Sequence, residues 1–152
     1  MEIYVDADAC PVKDEVARVA TRHGLAVHMV SNAWMRLPEN DLVRRVVVGG
    51  DADAADDWIA ERITAADIAV TADIPLPSRC LKADAAVLGP TGKPFTEDGI
   101  GSALAMRELM GHLRDTGEVK GGGPAFSKKD RSRFLEALER MIRAGQRKGQ
   151  GP

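Results

Sequence analysis

Three short apolar runs in this chain each lead into aspartate. Ile3-Tyr4-Val5 runs into Asp6 and Asp8, and Val46-Val47-Val48 passes through Gly49-Gly50 into Asp51 and Asp53. Ile68-Ala69-Val70 then passes through Thr71 into Asp73. If the runs are parallel strands, their carboxyl ends share one edge of a sheet, where open α/β folds place their active sites. Carboxylates gathered there repel one another unless positive charge sits between them. Hard oxygen ligands of this kind suit Mg²⁺ or Mn²⁺, and such an ion polarises a phosphate and activates a bound water. His23, His28 and His112 are scattered and suggest no ligand set. Metal-activated water is therefore a more natural nucleophile here than a histidine-activated side chain.

The individual acids carry different alternatives. Asp6 and Asp8 flank Ala7 and share a face if the strand continues, whereas a turn would separate them. Asp53 and Asp56 are three apart in the first turn of an expected helix and can face the same way, with Asp57 somewhat aside. Asp53 could equally serve as a helix cap, and Asp56 and Asp57 as complements to the helix dipole. Asp6 and Asp73 are harder to assign to structure alone, because each follows an apolar strand where an unpaired carboxylate is costly.

The elements that must position these acids alternate strand and helix. Residues 2–6 read as a buried strand, and Pro11 suits the first position of a helix with Val12, Val16, Val19 and Ala20 as its stripe, ending near Gly24. Leu25–Val30 and Val46–Val48 read as strands. Asp53 opens a helix whose apolar face is Ala54, Trp58, Ile59 and Ile63. Ile68–Val70 is a further strand, Leu76–Leu81 a short helix, and Ala85–Leu88 a last strand before the Gly89-Pro90-Thr91-Gly92 turn. A helix is expected from about Gly101 to Leu113, then a break at Gly121-Gly122-Gly123-Pro124. Ser127-x-x-Asp130 reads as a capping box for a final helix with Phe134, Leu135, Leu138, Met141 and Ile142 on one face, frayed from Gly145. Short links between alternating strands and helices imply a mainly parallel sheet covered by helices, an α/β/α domain of three layers. Residues 1–145 are expected to form one domain, with a helical extension over about 100–145 and a flexible basic tail over 146–152.

Bulk properties narrow the classes. The chain has 152 residues, 44% hydrophobic and 29% charged, the balance of a globular domain. No apolar stretch approaches the roughly 18 residues a membrane span requires, so a cytoplasmic protein with no membrane partner is expected. Three Phe, two Trp and one Tyr do not encourage broad base-stacking platforms. Cys10 and Cys80 lack the paired spacing of a zinc or redox site. The net charge of −2 hides an asymmetry. Residues 1–100 carry 10 Lys/Arg against 17 Asp/Glu, and residues 101–152 carry 11 against 6. Such a split suits phosphate or nucleic-acid contact, or else a solvated helical face with a basic tail.

Other features were weighed against these. Cys10 precedes an expected helix N-terminus, which would lower its thiol pKa; a phosphatase-type Cys-x5-Arg loop is absent, the next arginine being Arg18. Asp6-x-Asp8 resembles the nucleophile segment of haloacid-dehalogenase-type phosphatases, in which Asp6 would form an aspartyl phosphate. There the acidic pair comes late, whereas Asp56-Asp57 precedes Thr71. Gly121-Gly122-Gly123-Pro124, with Lys120, Lys128 and Lys129 nearby, suits a phosphate nest or a plain connector. Arg107 and Arg114, seven apart, suit phosphate contact or surface ion pairs.

Val5-Asp6-Ala7-Asp8-Ala9-Cys10-Pro11, Asp53-Ala54-Ala55-Asp56-Asp57-Trp58-Ile59 and Val70-Thr71-Ala72-Asp73-Ile74-Pro75-Leu76 together resemble the bacterial YaiI/YqxD family. Met106-Arg107 and Gly122-Gly123-Pro124 fit it as well. That family is in turn similar to PIN-like and NYN nuclease domains, α/β folds whose strand-end acids bind Mg²⁺ or Mn²⁺ and cleave RNA. The resemblance implies a PIN-like metal-dependent ribonuclease with extra C-terminal helices. By position, Asp6 matches the first-strand acid, Asp53 or Asp56 the mid-chain helix acid, and Asp73 the acid of the Thr-x-Asp segment. The expected ligand set is Asp6, Asp8, Asp53, Asp56 and Asp73, with Asp6, Asp56 and Asp73 principal and Thr71 and Asp57 supporting. Arg107, Arg114, Lys120, Gly122, Gly123, Lys128 and Lys129 would hold the RNA phosphates. A non-catalytic RNA- or protein-binding module is the alternative, and the sequence leaves a homodimer open.

Overall fold

The computed structural model describes residues 1–37, 40–49, 53–71, 75–96 and 127–149. In chain order these form β1 (Ile3–Asp6), a 3-10 turn (Ala7–Ala9), α1 (Lys13–His23), β2 (Val27–Ser31) and β3 (Val43–Val47). Then come α2 (Ala54–Arg62), β4 (Ile68–Val70), α3 (Pro75–Lys82), β5 (Ala86–Leu88) and α4 (Lys128–Gly149). The five strands make one sheet in the order β3-β2-β1-β4-β5, every pairing parallel.

Side-chain alternation along the strands sends residues to two separate cores. Ile3, Val5, Met29 and Val70 meet α1 and α4 on one face, through Val16, Val19, Phe134, Leu138 and Ile142. Tyr4, Val30, Ala69 and Val87 meet α2 and α3 on the other, through Ile59, Leu76 and Cys80. The expected three-layer α/β/α architecture is what forms. Buried on both faces, the inner strands read as mostly apolar runs, interrupted by His28 in β2, as parallel strands under two helix layers do.

Several boundaries move. β3 starts at Val43, three residues before the expected run, because it is an edge strand with Arg44 and Arg45 exposed; a reading that seeks apolar runs sees only its valines. Helix α1 begins at Lys13, since Val12 lies outside helical geometry at φ −114°, and Pro11 falls in the preceding turn. Gly24 closes that helix at φ +69°, the left-handed conformation glycine adopts without strain. The Ser127–Asp130 capping box forms as expected: the Asp130 N–H donates to Ser127 Oγ at 3.1 Å and the Ser127 N–H to Asp130 Oδ2 at 3.0 Å. Helix α4 runs on to Gly149, past Gly145, which packs so closely on Met1 that a methyl group there would overlap the Met1 side chain. The expected helix over 101–113 and the Gly121–Pro124 break lie outside the described residues.

Helix α4 runs antiparallel to the strands. Near its start, the backbone of Arg133 lies against Gly92 in the turn after β5, where a Cβ would come within 2.7 Å of it. Near its end, Gly145 meets Met1 at the amino edge of the sheet. Asp67 braces that amino edge, accepting hydrogen bonds from the N–H groups of Glu2 and Thr64, each at 2.9 Å. No helix among the described residues is long and apolar enough to cross a membrane.

Phe134 is fully buried at the centre of the α1–α4 core. Phe134→Ala is expected to lower unfolding free energy by about 3–5 kcal/mol, read from urea midpoints. A loss below about 1 kcal/mol would place α4 outside the cooperative core.

Candidate functional site

All five strands point their carboxyl ends the same way, so Asp6, Ser31, Val70 and Leu88 define one edge of the sheet. At that edge the chain changes direction. From β1 it proceeds through α1 to β2 and then β3 on one side, and afterwards returns to β4 and β5 on the other. The segment leaving β1 climbs towards α1 on one face and the segment leaving β4 towards α3 on the opposite face. Open parallel sheets bind ligands at such a reversal.

Asp6 stands at this reversal. Strand alternation places it on the same face as Tyr4, the face that α2 and α3 cover. It is 9% exposed, and its Oδ2 accepts a hydrogen bond from Thr71 Oγ1 at 3.2 Å. Thr71 is itself buried and follows the last residue of β4, so parallel register brings it level with Asp6. A strand end from the first sixth of the chain is thus tied to one from its middle by a buried side-chain bond.

Asp56 reaches the same face from above. Helix α2 packs over β1 and β2, and its first turn lies towards the carboxyl edge because the helix runs back against the strands. Asp56 is the third residue of that helix and only 5% exposed. The neighbouring acids differ. Asp53 occupies the N-cap position, but its side chain makes no capping hydrogen bond and is exposed. Asp57 is exposed and pairs with Arg79 of α3 at 2.6 Å. That hydrogen bond holds the Arg79 guanidinium protonated above its ordinary range, with the charges of Asp57 and Asp56 adding to it.

Asp8 does not extend the strand pattern. The 3-10 turn of Ala7–Ala9 breaks the alternation, and Asp8 is exposed, with Oδ2 accepting the Asn32 N–H at 2.9 Å. Its role in the geometry is to pin the loop after β1 to the end of β2. The described aspartates Asp6, Asp8, Asp53 and Asp56 do not form a ligand set on their own. Among the described residues no group of three or more His, Cys, Asp or Glu side chains is arranged to hold a metal ion. Asp73, the third principal acid, lies outside the described residues, as do Arg107, Arg114, Lys120, Gly122 and Gly123. Lys128 and Lys129 open α4, exposed, at the same end of the molecule as Asp6 but across the sheet from it. Reading the sequence missed Asn32 and Arg79, whose partners become visible only when separate elements are brought together.

The family described as "Uncharacterized BCR, YaiI/YqxD family" matches residues 4–144. A UPF0178 protein of Parvibaculum lavamentivorans is 62% identical over 147 residues, covering 97% of each chain. The UPF0178 protein of Rhodospirillum rubrum is 59% identical over 148 residues, covering 97% of this chain and 99% of its own. A UPF0178 protein of Rhodopseudomonas palustris is 59% identical over 150 residues, covering 99% of this chain and 95% of its own. No solved structure matches the chain significantly.

Cys10 corrects an expectation. It follows the 3-10 turn three residues before α1 begins, and burial pushes its thiol up to about 11, outweighing the lowering by the Val12 backbone N–H and by Lys13 at the start of that helix. Burial likewise pushes Cys80 up to about 11, with Arg79 opposing the rise. Such desolvation disfavours the thiolate, the form that acts as a nucleophile, at neutral pH. Both thiols are expected to resist iodoacetamide at pH 8 in the folded chain and to react promptly in urea. Rapid labelling of the folded protein would contradict the burial. Because folding holds these thiols protonated above their unfolded value of 9.0, they support stability below pH 9, and that support is lost as the pH rises towards about 11.

Proposed function

This chain belongs to the YaiI/YqxD family, and from that premise we propose that it is a metal-dependent ribonuclease acting at the carboxyl edge of its sheet. The observation that carries the reading is the pair Asp6 and Asp56. Two carboxylates, 9% and 5% exposed, come from different elements to the same face of the sheet. Removing a carboxylate from water is costly unless charge or hydrogen bonds compensate. Open parallel sheets bind ligands at such a reversal of strand order, and it is at that edge that these two carboxylates are gathered.

The donor chemistry fits Mg²⁺ or Mn²⁺: Asp6 and Asp56 offer hard oxygen ligands, and Asp73, two residues beyond Thr71, would complete the set. When bound, such an ion supplies activation of water and screening of phosphodiester charge. The chain's own groups do the positioning. Thr71 holds one oxygen of Asp6 in place, so the carboxylate presents a fixed orientation. Asp8, by accepting the Asn32 N–H, ties the loop after β1 to the end of β2. Lys128 and Lys129, with the basic segment that includes Arg107, Arg114 and Lys120, would attract the phosphate backbone without reading sequence. Hydrolysis joins a water oxygen to phosphorus, breaks one ester P–O bond and returns a proton to the departing oxygen.

Labelled single-stranded, hairpin and duplex RNA should be cut in Mn²⁺ or Mg²⁺ and left intact in EDTA. Asp6→Asn and Asp56→Asn are each expected to lower the rate by about 100-fold or more, and Thr71→Val by about tenfold, as for residues that orient metal ligands. Cleavage that persists in EDTA, or survives Asp6→Asn, would refute the reading. RNA binding without cleavage in any metal would favour the non-catalytic module.

A further inference from the structure

The loop after β2 leaves the carboxyl edge with its first residue already tied to Asp8. Two residues later it exposes Trp34, 66% accessible. Trp34 and Val47, at the end of β3, are the large apolar side chains left exposed among the described residues. Tyr4 and Phe134 are buried, and Trp58 is half-buried under the Arg62 guanidinium. Trp34 has a cation beside it as well: the Arg45 guanidinium lies 4.7 Å from its ring centroid. Strand register puts Arg45 level with Met29 and Val47 level with Ser31. Arg45 therefore projects on the α1–α4 face, to which Met35 and Leu37 of the same loop also pack.

We infer that Trp34 and Arg45 form a stacking site for one unpaired base of a single-stranded RNA whose phosphate backbone continues to the carboxylate edge; this rests on the ribonuclease reading above. An indole face with an arginine beside it is how sequence-tolerant single-strand binders hold a base, through stacking and a cation–π contribution. Charge points the same way. The first 100 residues are strongly acidic overall, yet the segment around Trp34 carries three exposed arginines, Arg36, Arg44 and Arg45. A polyanion is attracted there and repelled from most of the rest of that region. Six aromatics in the chain argue against an extended platform, but a single base needs a single ring. A base within a duplex is already stacked on both faces, so the site selects unpaired strands.

The test is binding without turnover: fluorescence anisotropy of a fluorescein-labelled single-stranded RNA and of its blunt duplex, in EDTA. Trp34→Ala is expected to weaken single-strand binding by about tenfold and leave duplex binding unchanged, the loss typical of one stacked base. Trp34→Phe, which keeps a ring, should recover most of the affinity. Arg45→Ala should weaken binding and reduce the salt slope by about one. An unchanged thermal melt of Trp34→Ala would confirm that the fold is intact, as exposure of the residue implies. Single-stranded DNA of the same sequence, showing an equal dependence on Trp34, would locate the recognition in the base and not the sugar. Single-strand affinity untouched by Trp34→Ala, or lost equally on duplex, would overturn the site. So would dissociation of a self-associated form by Trp34→Ala with RNA binding unaltered, which would make the β3 edge a protein interface. Metal-dependent cleavage is a separate readout: its absence with Trp34-dependent binding intact removes the nuclease and keeps the stacking site.

Discussion

Strand β1 is hydrogen-bonded to β2 on one side and to β4 on the other, with helices over both of its faces. Its four residues, Ile3 to Asp6, consequently have almost no access to water. For Ile3, Tyr4 and Val5 that burial stabilises the fold through apolar contact. For Asp6 it is a cost, against which the Thr71 hydroxyl donates a hydrogen bond. A carboxylate kept at the centre of the sheet against this cost shapes everything around it: the neighbouring strand end, the turn that follows and the helix above.

The reversal of strand order sets this position apart from the rest of the edge. Had β4 joined the far side of β3, the loops after β1 and β4 would not part across the middle of the sheet. As it is, β1 and β4 are neighbours whose connections leave towards opposite helix layers. Asp6, Thr71 and Asp56 come from three separate stretches of the chain to one face of the sheet. Asp8 and Asp57, although acidic and close in sequence, are committed elsewhere: one to the Asn32 backbone, the other to Arg79.

The α1–α4 side is held by different forces. Phe134, Leu138 and Ile142 recur every four residues and fill the groove beside α1. Around that apolar seam lie ion pairs, Arg131 to Glu15 at 3.1 Å and Arg22 to Glu139 at 2.7 Å. Desolvation acts to raise the Glu139 carboxyl, but hydrogen bonds from His23 and Arg143 and the nearby positive charges outweigh it and hold it below its ordinary range. Such partly exposed pairs add little energy to the apolar seam. The basic last helix lies with its start, at Lys128 and Lys129, towards the carboxyl edge.

Much of this was legible in the order of residues. The alternation of apolar runs with helical stripes specified a parallel sheet between helix layers, and glycine 24 and the Ser127–Asp130 box marked helix ends, because such signals act over a few neighbouring residues. The edge position of β3 was not legible: Arg44 and Arg45 belong to a strand only because β2 supplies one partner and solvent takes the other side. Nor was the fate of Cys10, where burial outweighs the opposing pull of the helix start. Among the aspartates, sequence alone determined that acids follow strands. Tertiary structure decided which of them lose water, since exposure depends on what packs over each from far along the chain. Asp6 and Asp56 are covered, Asp8 and Asp53 are not, and no local pattern distinguishes them.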